Sequence, residues 1–327
     1  MSKSNFYNIL GVSPQADRDV IQAAYYALSK KHRDSDKKLK LINEAKEVLL
    51  DEKSRNEYDD ELNNLTKSSL GNYKIISMLA EGGFGKTYIA EHVDLGVKVC
   101  IKHAHKISSD DEFLLKEEAK SIWDLRHFGI PNIRDILKLE DGSYALVMSY
   151  IPGPTLAQYV EKCGELDAEH VAWIAQRILN TLKYLHFHGV VHGDIKPQNI
   201  IIQPEIHSCV IVDYGLSMVR PRKGTTNKGY TPLFASPEQM AGLPLLPESD
   251  FYGLGLSLIY ALGGDIEKKS VSSRCPDNLF NFIKKLIKFD VSERPHWQKE
   301  DLMILIEDVR IKDFGRGSSN MKPMKKF

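Results

Sequence analysis

The run His192-Gly193-Asp194-Ile195-Lys196-Pro197-Gln198-Asn199 is the densest collection of reactive groups in the chain. Moving a phosphoryl group onto a hydroxyl needs a carboxylate near the attacking oxygen, a cation near the group in flight and an oxygen ligand for a hard metal ion. Asp194, Lys196 and Asn199 offer these three chemistries in one loop, ahead of the apolar run at 200–202. A polar turn before a strand is the plainer alternative, and it leaves three complementary groups at this spacing without a reason. Downstream, Val210-Ile211-Val212-Asp213-Tyr214-Gly215 sets an aspartate after an apolar strand and before a glycine. That is a good position for Mg2+, although an aspartate opening a turn is common in isolation.

Two upstream features could serve the same reaction. Ala80-Glu81-Gly82-Gly83-Phe84-Gly85 lies between strand-like segments. Glycines there let backbone N–H groups approach phosphate with no Cβ in the way, though most such pairs are simply turns. Val99-Cys100-Ile101-Lys102 ends an apolar strand in a lysine. A buried, unpaired ammonium is costly, so Lys102 either snorkels to water or grips an anion with a carboxylate partner. Glu118, in a helical segment whose Ile122 and Leu125 face a core, is the candidate partner.

The elements that must hold these groups follow from periodicity. Val20, Ile21, Ala24, Tyr25 and Leu28 recur at helical spacing behind Asp17, a suitable N-cap. Ile42, Ala45, Val48 and Leu49 mark a second helix, and a charged segment follows over 52–62. Residues 63–72 are mostly small and polar and read as a linker. From Tyr73 strand-like segments dominate, and from about Leu156 helical ones, the order expected of an α+β domain. Residues 313–327 carry Arg316, Lys322, Lys325 and Lys326 with few apolar side chains and read as a basic flexible tail.

Composition narrows the class. The chain has 327 residues, about two domains' worth, with 42% hydrophobic and 27% charged residues. Lys plus Arg equals Asp plus Glu at 44 each, which argues against a nucleic-acid coat, and no specific nucleic-acid binding is expected. Cys100, Cys163, Cys209 and Cys275 are scattered, as in a reduced cytoplasmic protein. The polar start and the shortness of the apolar stretch at 251–262 predict neither a signal peptide nor a membrane span.

Taken in order, these segments resemble the protein-kinase signature set over residues 73–312. Ser236-Pro237-Glu238, Asp250 and Arg294 extend the resemblance. It implies a bilobal protein-kinase fold with a β-rich N-lobe and an α-helical C-lobe, using ATP and Mg2+, with Mn2+ as an alternative metal. Asp194, Lys196 and Lys102 would be catalytic, and Asn199 and Asp213 would hold the metal. Ala80, Gly82, Gly83, Gly85, Thr87, Lys102 and Glu118 would form the nucleotide loop and its lysine–glutamate pair. Met148, Ser149, Tyr150 and Ile151 would line the adenine pocket and hinge. The Asp-x-Lys-x-x-Asn spacing is similar to Ser/Thr kinases and implies protein substrates. Ala80 replaces the family's first glycine, Tyr214 its usual Phe, and Gly193 the arginine that in many members grips a phosphorylated loop, here with Thr225 and Thr226 as candidate phosphosites.

Residues 1–62 resemble a J-domain, a small all-α helical hairpin module, through Asn5-Phe6-Tyr7-Asn8-Ile9-Leu10-Gly11 and Ile42-Asn43-Glu44-Ala45. The family's His-Pro-Asp is His32-Arg33-Asp34 here, so proline's fixed φ is lost. That weighs against a DnaK-type chaperone as partner and favours another docking or regulatory role. Two other readings stay open: a kinase-like scaffold without transfer, and a co-chaperone regulated by the kinase domain.

Overall fold

Asp17 accepts a hydrogen bond from the Val20 amide at 2.9 Å and caps the helix the periodicity predicts, α2 (Arg18–Lys31), which follows α1 (Phe6–Leu10). The computed structural model describes residues 6–13, 16–33, 36–67, 69–82, 85–104, 109–139, 142–222, 224–225, 228–317, 321–325 and 327. Asp34, Gly83 and Thr226, singled out above, lie outside them. The chain divides into two units, Met1–Ile107 with Leu137–Val147, and Ser108–Ile136 with Met148–Phe327.

In the first unit, α2 packs with α3 (Asp36–Leu50), and α4 (Glu52–Lys67) follows. Tyr7, Leu10, Ile21, Ile42, Ala45, Leu49 and Tyr58 form a small core. Each large apolar side chain removed from water there contributes about 1.5–3 kcal/mol. Val20, expected on the same face, is 48% exposed, because the buried stripe runs through Ile21, Ala24, Tyr25 and Leu28 and Val20 lies one step round the helix. The Tyr7 hydroxyl donates to Asp59 at 2.7 Å and accepts from Arg55 at 3.0 Å, tying α1 to α4.

The stretch 63–72, read as a linker, includes the end of a helix and a short strand among its described residues. Helix α4 continues to Lys67, and β1 (Ser69–Leu70) pairs antiparallel with β2 (Tyr73–Gly82) across Gly71 at φ 56°. No Gly or Pro falls between 52 and 70, so nothing local stops the helix despite its polar composition. Helix α4 also lies against β2.

Strands β3 (Gly85–His92), β4 (Lys98–His103), β5 (Ile133–Lys138) and β6 (Tyr144–Ser149) complete a six-stranded sheet ordered β1-β2-β3-β4-β6-β5. Tyr73, Ala90, Val99, Ile101, Ala145 and Val147 form the apolar core of the sheet unit.

The second unit begins with α5 (Ser109–Ile122) and continues through α6 (Leu156–Cys163) and α7 (Ala168–Phe187). Short strands β7 (Val190–Val191), β8 (Ile200–Gln203), β9 (Ser208–Ile211) and β10 (Met218–Val219) follow, β8 pairing with β9 and β7 with β10. Helices α8 (Pro237–Met240), α9 (Pro247–Ala261), α10 (Asp277–Leu286) and α11 (Leu302–Phe314) end the unit. The apolar stretch at 251–262 lies in α9, which is buried almost throughout. No helix among the described residues is long and apolar enough to cross a membrane. Helix α11 runs to Phe314, and residues 321–325 and Phe327 contact α6 and α7.

Candidate active site

The loop between β7 and β8 is fixed from below by Asp250, near the start of α9. Its carboxylate accepts the His192 amide at 2.9 Å and the Gly193 amide at 2.7 Å. It also faces His186 Nε2 at 2.8 Å, and Trp297 Nε1 donates to His186 Nδ1 at 2.9 Å. With Nδ1 accepting, the His186 proton sits on Nε2 and points at Asp250. Gln239 adds a further tie, donating to the Gly193 carbonyl at 2.7 Å. Gly193 has φ 76°, and a Cβ there would lie 2.6 Å from a Leu245 methyl.

His192 is fully buried. Burial holds its pKa below the ordinary value against the pull of the Asp250, Asp194 and Asp213 carboxylates. Its Nδ1 accepts the Asp194 amide at 3.2 Å, so the proton sits on Nε2, 3.3 Å from the Val212 carbonyl. The neutral ring thus bridges the Asp194 loop to the segment leading into Asp213. A second bridge is the Val212 amide, which donates to the Asn199 carbonyl at 2.9 Å.

The three groups singled out first are together. The Asp194 carboxylate accepts from Lys196 Nζ at 2.6 Å and from Asn199 Nδ2 at 3.0 Å on one oxygen. On the other it accepts from the Thr231 hydroxyl at 2.7 Å, and Lys196 also reaches that hydroxyl at 2.9 Å. Asn199 Nδ2 is anchored to the Asp194 carbonyl too, at 2.9 Å. Asp213 has φ 66°, a left-handed conformation uncommon outside glycine, just after β9. The next residue, Tyr214, donates its amide to Glu118 on α5 at 3.2 Å, and its ring meets His192 edge-on.

In the sheet unit, Ala80 pairs with Thr87, Gly82 with Gly85, and Thr87 with Lys102 on β4. Gly85 has φ 145°, and a Cβ there would lie 2.1 Å from the His103 carbonyl oxygen, so this bend accepts glycine alone. Lys102 is 9% exposed at the end of its apolar strand. Met148 is buried; Ser149 accepts the Asn132 amide on its hydroxyl at 2.9 Å and donates its own amide back to the Asn132 carbonyl at 2.9 Å, with Tyr150 and Ile151 half-buried beyond it. Lys102 and Glu118 belong to different units.

Farther along, Glu238 and Arg294 form a buried bidentate pair at 2.7 and 2.9 Å. Arg294 also donates to the Lys288, Glu248 and Phe289 carbonyls. The sequence placed Glu238 and Arg294 at positions of the family resemblance and gave no sign of His186, Gln239 and Lys228, whose partners are main-chain atoms or distant side chains. Lys228 donates to the Ser217 carbonyl at 2.8 Å; burial lowers its pKa against the nearby Glu117 and Glu118.

An antiparallel sheet, a helical unit and a carboxylate loop with its own lysine and asparagine define an α+β protein of protein-kinase architecture. Residues 73–303 match the protein kinase domain family, and residues 5–59 the DnaJ domain family. The chain belongs to the protein kinase family and carries a DnaJ-domain module ahead of its kinase domain. It is similar to serine/threonine-protein kinase PrkC of Bacillus subtilis, 32% identical over 202 residues, which cover 60% of this chain and 31% of that protein. Serine/threonine-protein kinase pkn3 of Myxococcus xanthus is 29% identical over 214 residues, 62% of this chain and 39% of its own. Serine/threonine-protein kinase D of Synechocystis is 29% identical over 257 residues, 69% of this chain and 50% of its own. The chain thus spans about a third to a half of the length of these relatives.

Proposed function

We propose that the chain is a cytoplasmic Ser/Thr protein kinase that transfers the γ-phosphoryl group of MgATP to hydroxyls of protein substrates. The observation that carries this reading is the Thr231 hydroxyl, 2.7 Å from one Asp194 oxygen and 2.9 Å from Lys196 Nζ. A hydroxyl can therefore meet a carboxylate acceptor and an ammonium at once, which is what an attacking Ser or Thr requires. Asp194 would orient that hydroxyl and accept its proton. Lys196 would neutralise charge on the group in flight.

The residues fit the nucleotide and its metal. Asn199 and Asp213 are hard oxygen donors from two loops bound together through Val212 and His192, and Mg2+ with few protein ligands keeps the rest of its shell for phosphate and water. The glycine bend at Gly85 leaves backbone where a Cβ has no room. Lys102 would hold the α/β-phosphates and pair with Glu118. Ala80, Gly82, Gly83 and Thr87 would cover the nucleotide, and Met148 to Ile151 would meet the adenine. MgATP supplies the phosphoryl group and the charge neutralisation of its leaving oxygens. The DnaJ-domain module, which has its own core, would serve docking or regulation.

The test is incubation with radiolabelled ATP, Mg2+ and a generic basic protein, beside an Asp213→Asn control. Label on Ser or Thr that falls at least about 100-fold in the control is expected. Nucleotide binding with no label in either protein would favour a scaffold. For the module, a pull-down with a DnaK-type chaperone should give equal recovery for wild type and His32→Gln; a loss with the variant would restore the chaperone reading.

A further inference from the structure

Residues 321–325 and Phe327 lie across α6 and the N-terminal end of α7, and their contacts divide into two kinds. The first is made to the peptide backbone: His170 Nε2 meets the Lys322 carbonyl at 3.0 Å, and the Tyr159 hydroxyl donates to the Lys325 carbonyl at 2.8 Å. Both read main-chain carbonyls and would serve any non-helical segment, the conformation residues 321–325 have here. The second kind is selective. Lys322 Nζ reaches Asp167 at 3.1 Å, and Phe327 stacks on Tyr159 with Lys162 Nζ 4.2 Å from its ring centre. A cleft of about 300 Å3 continues the surface past Pro152, Gly153 and the turn between β8 and β9.

Glu169 shows that this occupant is not the best possible one. Its side chain is 1% exposed, and among the described residues its Oε1 accepts no hydrogen bond. The nearest cations are Arg316 at 3.6 Å and Lys322 at 3.9 Å, too far for a hydrogen bond. A buried carboxylate left short of donors is a standing demand for a closer cation. The tail itself is loosely held: the Lys322 side chain is 49% exposed, and exposed ion pairs contribute little against the entropy of ordering a chain segment.

We propose that this groove is a docking site for protein substrates carrying a basic residue followed about five positions on by an aromatic one, with residues 321–325 and Phe327 occupying it as a displaceable internal competitor. The proposal rests on the kinase reading for the word substrate, and on the groove alone for the binding. Asp167 and Glu169 select the basic residue, Tyr159 and Lys162 select the aromatic one, and His170 with the Tyr159 hydroxyl holds the backbone between.

The test uses a fluorescein-labelled peptide of the tail sequence Met-Lys-Pro-Met-Lys-Lys-Phe, read by anisotropy against the intact chain and a chain ending at residue 317. Circular dichroism of the shortened chain checks that it is folded. The peptide is expected to bind the shortened chain, and the intact chain about tenfold more weakly, as an internal competitor docked nine-tenths of the time dictates. Peptides with Lys322→Glu or Phe327→Ala should each lose at least about fivefold, as should the shortened chain with Asp167→Asn, which keeps the helix cap but removes the charge. A Ser-containing acceptor peptide extended by this segment should show a lower KM at unchanged kcat, and the gain should vanish with Asp167→Asn. Equal affinity for both chains, or indifference to the Lys322→Glu and Phe327→Ala changes, would overturn the proposal. So would a dimer of the intact chain that shortening dissolves, since the occupant would then be a second copy. Specific binding without any phosphate transfer would overturn the kinase reading and leave the groove standing.

Discussion

The hydroxyl of Tyr214 is buried and has no hydrogen-bond partner among the described residues, and burial drives its pKa well above the ordinary value. A buried hydroxyl without a partner costs about 1–3 kcal/mol. Tyr214→Phe keeps the ring packed on His192 and removes that cost, so urea unfolding should show a gain of about 1 kcal/mol; a loss would mean the hydroxyl is satisfied in solution. The Glu238–Arg294 pair behaves oppositely. Burial alone would raise the Glu238 pKa, but hydrogen bonds from Arg294, Ser249 and Ser236 outweigh it and the net shift is downward. A depressed carboxyl contributes stability that is fully present above the unfolded value of about 4.5 and is lost as pH falls through the folded value. Wild type should therefore lose stability more steeply below that pH than Glu238→Gln, measured by urea titration across the acid range. Arg294→Ala should cost about 3–5 kcal/mol at neutral pH, since it strands a buried carboxylate. These groups were legible because Asp194, Lys196 and Asn199 share one loop and Glu238 and Arg294 fall at family positions. His186 and Gln239 were not, because their partners are carbonyls and carboxylates more than forty residues away, and no local pattern marks such a partner.

At the scale of the element, the loop that carries Asp194 is set by backbone conformation as much as by side chains. Gly193 stands where many family members carry an arginine, and its φ of 76° with Leu245 pressed against the Cβ position leaves no room for one. Gly193→Ala should cost about 1–3 kcal/mol through strain and overpacking. Without that arginine, a phosphate on the following segment lacks its usual counter-ion, while Lys228 already ties the segment to Ser217. Replacing Thr225 and Thr226 together with Ala should leave phosphate transfer within about twofold of wild type, measured beside a melting curve; abolished transfer with an unchanged melt would show that loop phosphorylation is required. Helix periodicity located α2 and α3 in the sequence because each buries one face, whereas α9, buried almost all round, showed only as an apolar stretch. The periodicity did not extend to α4 beyond residue 62. There the order comes from backbone hydrogen bonds and from neighbouring elements, neither of which composition records.

At the scale of the whole molecule, the α+β order of elements was legible, because a strand-rich stretch followed by a helix-rich one leaves few architectures. The bond between the DnaJ-domain module and the sheet was not. A polar stretch between two folded segments reads as a tether, and a tether predicts that each part melts independently. Helix α4 instead lies against β2, is clamped to α1 through Tyr7, Arg55 and Asp59, and is followed closely by β1, which extends the sheet. The module and the sheet share one unit, so removing the first should expose apolar and backbone groups of the second. A chain beginning at Ser69 is therefore expected to melt about 5 °C or more below the full-length protein, a shift that a loss of about 2 kcal/mol produces in a domain of this size. A matched chain that keeps the module but carries Tyr7→Phe, which removes one of the hydroxyl's ties to α4, should fall between them. If the shortened chain melts with the intact one, the module is an appendage and its influence on the kinase domain must pass through partners. If it melts lower and also transfers phosphate more slowly, the module is part of the support on which the sheet is built, and its role in this chain is structural.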